Sequence, residues 1–177
     1  MLALGTQIPE FSLPDAVSGQ VVASSTLLGK PAVVFFLCNH CPFVKHIRAG
    51  IADFGRFCQE RGASMVAISS NDACAYPADA PTAMTVEAKE AGYLFPYLFD
   101  ESQSVARAFD AACTPDLYIF DRHGKLAYRG QFDGARPGND EPVTGSDARA
   151  AVEALLAGAS PSADQIPSIG CNIKWRA

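Results

Sequence analysis

Residues 32–37, Ala-Val-Val-Phe-Phe-Leu, form a continuous apolar run that ends directly on Cys38-Asn39-His40-Cys41-Pro42. Such a run is the pattern of a strand buried on both faces. From Pro42 the period changes. Phe43, Ile47, Ile51, Phe54, Phe57 and Cys58 recur at spacings of three and four, which predicts an amphipathic helix. Proline is tolerated in its first turn because the N–H there has no intrahelical partner. Arg61-Gly62 ends the helix, and residues 65–69 read as the next buried strand. Strand–helix–strand in this order implies parallel pairing with a right-handed crossover.

The flanking segments extend this α/β pattern. Residues 8–22 alternate loosely around Pro9, Pro14, Asp15 and Gly19 and read as an N-terminal hairpin. Residues 71–83 read as a loop, and 84–91 and 102–109 as helices. Residues 117–120 and 126–128 read as two strands joined by a turn at Gly124. Residues 131–145 read as a second polar loop, 148–156 as a closing helix and 161–177 as an irregular tail.

With 177 residues, 49% of them hydrophobic and 19% charged, the chain has the size and balance of one soluble domain. A net charge of -5 argues against a nucleic-acid surface. No apolar run approaches the roughly 20 residues of a membrane helix. Residues 1–6 lack a basic n-region and a long apolar stretch, so the expectation is a cytoplasmic protein without a signal peptide. Six cysteines in a chain too long to need a disulfide framework point to catalysis or metal binding rather than to structural bridges.

Cys38 and Cys41 stand where a strand gives way to a helix. There, free N–H groups and the helix macrodipole favour a thiolate, and a second sulfur one turn away can close a disulfide. Residues 16–52 contain no Asp or Glu but do contain Lys30, His40, Lys45, His46 and Arg48. The expectation is therefore a Cys38 thiolate among cations, aided by His40, that attacks first while Cys41 resolves. Cys-x-x-Cys is also metal-ligand spacing, but no second pair completes a tetrahedral site. The second signal is Ala112-Cys113-Thr114-Pro115-Asp116, just ahead of the strand at 117–120.

Together these residues resemble the thioredoxin superfamily. More closely, they resemble its peroxiredoxin-like proteins of the alkyl hydroperoxide reductase/thiol-specific antioxidant (AhpC/TSA) group. The resemblance rests on the segments at 8–14, 38–45, 69–72, 112–116, 136–139 and 167–175. It implies a single thioredoxin-like domain over 1–177, with a central mixed sheet flanked by helices, an N-terminal β-hairpin extension and a docked tail at 161–177. It also implies a cis Thr114–Pro115 bond facing the redox pair, with Pro115, Thr114 and Asn39 contacting substrate. In peroxiredoxin terms Cys41 holds the peroxidatic position and Cys38 that of the usual Thr, with Arg107 and Arg129 the candidates for the nearby arginine. Where thioredoxins bury an Asp, six residues before the first Cys, this chain has Ala32.

Three functions compete. The first is a thiol–disulfide oxidoreductase that needs no cofactor beyond the Cys38–Cys41 disulfide. Its partners would be a protein or small-molecule disulfide or peroxide and a reductase of the thioredoxin reductase type, with no nucleic acid or membrane. The second is a peroxidase with Cys41 peroxidatic and Cys38, Cys113 or Cys171 resolving. The third is a Cu(I) or zinc module built on Cys38 and Cys41 with His40 or Cys113. Cys58 lies on the apolar helix face and reads as a small buried hydrophobe, Cys74 as incidental, and His46 and His123 as surface residues. Cys113 and Cys171 are the redox-relay candidates. Ile169, Ile173 and Trp175 are expected to bury themselves and so dock the tail.

Overall fold

The computed structural model describes residues 2–176. Its centre is a five-stranded sheet. The apolar run becomes β3 (Ala32–Phe36), every residue of which is buried. On one side β3 pairs in parallel with β4 (Ser64–Ser69), which pairs in parallel with β5 (Tyr97–Phe99). On the other side it pairs antiparallel with β7 (Asp116–Phe120), which pairs antiparallel with β8 (Leu126–Gly130). The order β5-β4-β3-β7-β8 makes a mixed sheet, as in the thioredoxin-like fold. The hairpin is present as β1 (Ser12–Pro14) against β2 (Val21–Ala23).

Side chains alternate across a strand, so β3 feeds two cores. Val33 and Phe35 pack with the helices α1 (Pro42–Arg61), α2 (Pro81–Ala91) and α4 (Ser146–Leu156). Val34 and Phe36 face the hairpin, Phe109 and α3 (Ser104–Ala108). Each large side chain buried here contributes about 1.5–3 kcal/mol, which fixes the level at which the strand ends and delivers Cys38. Leu37 N–H donates to Ile68 C=O at 2.9 Å, so the extended backbone is held up to the cysteine itself.

α1 runs from Pro42 to a left-handed Gly62 at φ 76°. Two glycines notch its buried side. A Cβ on Gly50 would sit 2.5 Å from Val143 and 3.2 Å from Phe132, and one on Gly55 would sit 2.5 Å from Phe95. The notches let two aromatic rings lie directly against the helix.

Four differences from the sequence reading stand out. β5 is too short, behind Pro96, to register as a strand. α2 begins at Pro81, inside what reads as a loop. The tail is not irregular throughout, because β9 (Cys171–Asn172) pairs antiparallel with β6 (Cys113–Thr114). Finally, of the three apolar residues expected to dock the tail, only Ile173 is buried, at 3% exposed. Trp175 stays 39% exposed under the Arg107 guanidinium, 4.4 Å from its ring centroid, and Ile169 is 55% exposed. No helix among the described residues is long and apolar enough to cross a membrane.

Candidate active site

Cys41 is the N-cap of α1 and Pro42 its first residue. Of the two cysteines it is therefore Cys41, not Cys38, that meets the free N–H groups of the helix. Cys38 sits at the strand end, 3.2 Å from Thr114 Oγ1. The Cys41 thiol lies 3.1 Å from the Thr114 carbonyl. The Thr114–Pro115 bond is cis, and all six cysteines are thiols.

The electrostatics follow this placement. The Cys41 thiol donates to the Thr114 carbonyl, while the Cys38 thiol, the Val44 N–H in the first turn of α1 and Cys171, paired opposite Thr114, are the nearby donors that favour its ionised form. Against the opposing effect of burial, these donors hold Cys41 well below the ordinary thiol value. Cys38 moves the other way. It donates to Cys41, is buried, and faces the Asp79 carboxylate, with only the Thr114 hydroxyl opposing. The sequence reading puts the first thiolate on Cys38; the start of α1 at Pro42 favours Cys41 instead.

The cations expected around the pair are elsewhere. Arg48 is paired with Glu87 at 2.6 Å, Lys45 points to solvent, and Lys30 lies on the far side of β3 beside Asp121 and Arg122. The residue that sequence reasoning missed is Asp79. It is fully buried and accepts from Asn39 N–H at 2.7 Å and Asn71 Nδ2 at 2.8 Å, with His40 Nδ1 2.6 Å from it. The acid-free stretch at 16–52 is real along the chain, but the loop after β4 folds a carboxylate back over it. His40 is also stacked on Tyr76, with ring centroids 5.4 Å apart.

Asn39 is engaged inside the fold, donating to Ala78 C=O at 2.8 Å and accepting from Tyr97 at 2.9 Å. Thr114 and Pro115 do face the pair, but the Thr114 strand edge is taken by β9. Cys171 is half-buried beside Cys41. Burial and Cys41 raise its thiol, while Lys174 opposes the rise. Cys113 is pushed up to about 12, first by burial and then by Asp116, and its thiol turns toward the Pro115 carbonyl. Burial likewise pushes Cys58 up to about 12. Cys74, His46 and His123 are exposed.

Neither arginine candidate reaches the pair. Arg107 covers Trp175 and Arg129 donates to the Leu2 carbonyl. Arg136 instead lines a small cleft beside Pro115 with Phe43, Phe132 and Ile169. The ligand set expected for a metal also changes. Cys38, His40 and Asp79 offer donor atoms within 4.8 Å of one another, whereas Cys41 and Cys113, both in the expected set, are outside the group. The His40–Asp79 hydrogen bond already explains much of that proximity.

The thiol shifts have a measurable consequence. A depressed Cys41 adds stability that is complete above the ordinary value of 9.0 and is lost as pH falls toward its folded value. The raised Cys38 subtracts stability above 9.0, where only the unfolded thiol ionises. Oxidation of the pair removes both effects. The urea midpoint of the reduced protein, measured relative to the oxidised one, should therefore be higher at about pH 8 than at about pH 5. An unchanged gap would reject the Cys41 assignment.

A model described as the AhpC/TSA family matches residues 4–129. Among solved structures, the chain is similar to an uncharacterized conserved protein from Geobacillus kaustophilus. The two are 51% identical with a TM-score of 0.97, covering 99% of this chain and 94% of that one. A hypothetical protein from Sinorhizobium meliloti 1021 is 48% identical with a TM-score of 0.97, covering 100% and 97%. A thiol:disulfide interchange protein of the thioredoxin family from Chlorobium tepidum TLS shares the fold, at 20% identity and a TM-score of 0.67, covering 88% and 99%. None of the curated proteins compared with the chain matches it.

Proposed function

The chain belongs to the AhpC/TSA family, and from that premise we propose that it is a thiol–disulfide oxidoreductase in which Cys41 attacks and Cys38 resolves. Membership carries a thiol redox function in coarse outline. The finer reading rests on one observation, the placement of Cys41 as the N-cap of α1, with its sulfur 3.1 Å from the carbonyl of Thr114 and beside the cis Pro115. A thiolate held there is both a ready nucleophile and a good leaving group.

In this reading, Cys41 attacks a disulfide sulfur presented against Pro115 and expels a thiolate. Cys38 then gives up its proton, attacks the Cys41 sulfur and releases the second thiol. His40 and Asp79, within 4.8 Å of the Cys38 sulfur, are the groups placed to help that proton leave. They stand in for the acid that the resemblance would have placed at Ala32. The proposed setting is a reducing cytoplasm, with a reductase of the thioredoxin reductase type restoring the dithiol and no metal or further cofactor.

Equilibration in glutathione buffers of graded poise, followed by peptide mapping, tests this. The expected product is a reversible two-electron Cys38–Cys41 disulfide. If that disulfide forms in none of the buffers, the proposal fails.

One observation favours a second reading, peroxide reduction. Burial opposes it, yet Cys41 is held below the ordinary thiol value, and in the family the chain resembles this position is the peroxidatic one. Stopped-flow mixing of the reduced protein with hydrogen peroxide decides it, and a rate no faster than that of an ordinary thiol rejects it.

A further inference from the structure

We propose that Cys171 is a third redox thiol of this site, the one through which a small external disulfide reaches the buried pair. This rests on the oxidoreductase reading and identifies what is presented against Pro115, namely the chain's own tail.

The strand edge beside the cis-proline is already filled. β9 pairs with β6 in the register Thr114↔Cys171, and Ile173 N–H adds a bond to Ala112 C=O at 3.2 Å. The approach is so close that a Cβ on Gly170 would fall 2.0 Å from the Thr114 carbonyl oxygen and 3.0 Å from Pro115. The tail is clamped on the far side of Cys171 as well. Lys174 N–H donates to Asn71 at 2.8 Å, Lys174 C=O accepts from Gln103 at 2.8 Å, and Ile173 is buried. A protein substrate cannot pair with this edge unless all of this is removed.

Accessibility points the same way. Cys38 is 1% exposed and Cys41 fully buried, while Cys171 is only half-buried and packs against the core cluster that holds them both. Cys171 is paired opposite Thr114, the residue whose carbonyl oxygen accepts from the Cys41 thiol at 3.1 Å. Cys113, the other relay candidate, is buried and turned inward. Cys171 is thus the sulfur of this cluster that touches both solvent and Cys41.

The chemistry balances for a low-molecular-weight disulfide RSSR. Deprotonated Cys171 attacks one sulfur of RSSR, forming Cys171–SR and releasing RS⁻. The Cys41 thiolate then attacks the Cys171 sulfur, forming Cys41–Cys171 and releasing the second RS⁻. Cys38, losing its proton, attacks the Cys41 sulfur and leaves Cys38–Cys41 with Cys171 as a thiolate, which is reprotonated. Two thiol protons and two electrons pass to two RSH, and the path runs backward when small thiols reduce the protein.

The probe is oxidised glutathione. Cys171→Ser should slow oxidation of the reduced protein by about tenfold or more, because an intramolecular attack is lost, while Cys38–Cys41 still forms at equilibrium. Cys38→Ser, with the tail intact, should yield an intramolecular Cys41–Cys171 disulfide on peptide mapping. If wild type never forms Cys38–Cys41, the oxidoreductase reading itself falls. If wild type forms it but Cys171→Ser oxidises at the wild-type rate, or Cys38→Ser holds glutathione on Cys41 with Cys171 free, only the role of Cys171 is overturned.

Discussion

Replacing Cys41 by serine is expected to lower disulfide turnover by more than about a hundredfold, whereas Cys38→Ser should still complete one oxidation per chain, at Cys41. The asymmetry follows from where α1 begins. The helix starts at Pro42, so its unpaired N–H groups and positive end fall on Cys41, while Cys38 remains in the extended segment as a donor to it. Without Cys41 the site loses the sulfur at the helix end and keeps Cys38, a buried thiol that still faces the Asp79 carboxylate and lies outside α1. Without Cys38 the stabilised thiolate survives, although it loses one donor. Thiol release in a single turnover, followed by mapping of the captured sulfur, measures both. Capture of the disulfide on Cys38 in the Cys41→Ser protein would restore the opposite order of attack.

The second large effect is on stability. Asp79→Ala should destabilise the reduced protein by about 3–5 kcal/mol, the range for removing one partner from a buried polar network. The carboxylate is fully buried, and Asn39 N–H, His40 and Asn71 all converge on it. Truncation leaves these donors facing a space that nothing else fills. Asn71 also holds Lys174 N–H, so the damage extends to the tail. Asp79→Asn keeps an acceptor and should cost less, about 1–3 kcal/mol. It also removes the negative charge that helps raise Cys38, so the Cys38 thiol should titrate lower in that variant. Denaturant unfolding of the two variants checks the ranking. A loss under about 1 kcal/mol for Asp79→Ala would mean that the loop does not depend on this carboxylate.

The contrast between these two predictions shows what the sequence could reveal. The apolar run, the Cys38–Cys41 spacing, the helical period after Pro42 and the Thr114–Pro115 step are local signals, and each lies where its pattern puts it. Which sulfur meets the helix end is decided by a single residue of offset at the helix start, below what periodicity resolves. Asp79 carries no local signal, since it is one aspartate in a polar loop that becomes part of the site only through tertiary folding. The β6–β9 pair is two residues long on each side, and pairing between such distant segments leaves no periodic trace. Trp175 was expected to hide from water, but Arg107 covers one face of its ring and spares it that need.

The notched helix has a consequence in time. Gly50 and Gly55 each cost α1 roughly 1 kcal/mol of intrinsic helix stability relative to alanine, and the side chains that fill the notches, Val143 and Phe132 at Gly50 and Phe95 at Gly55, come later in the chain. α1 is therefore ordered by partners that leave the ribosome well after it does. The donors that favour the Cys41 thiolate include Cys171, which lies later in the chain than any of these partners, so the acidity of Cys41 is complete only when the tail has paired with β6.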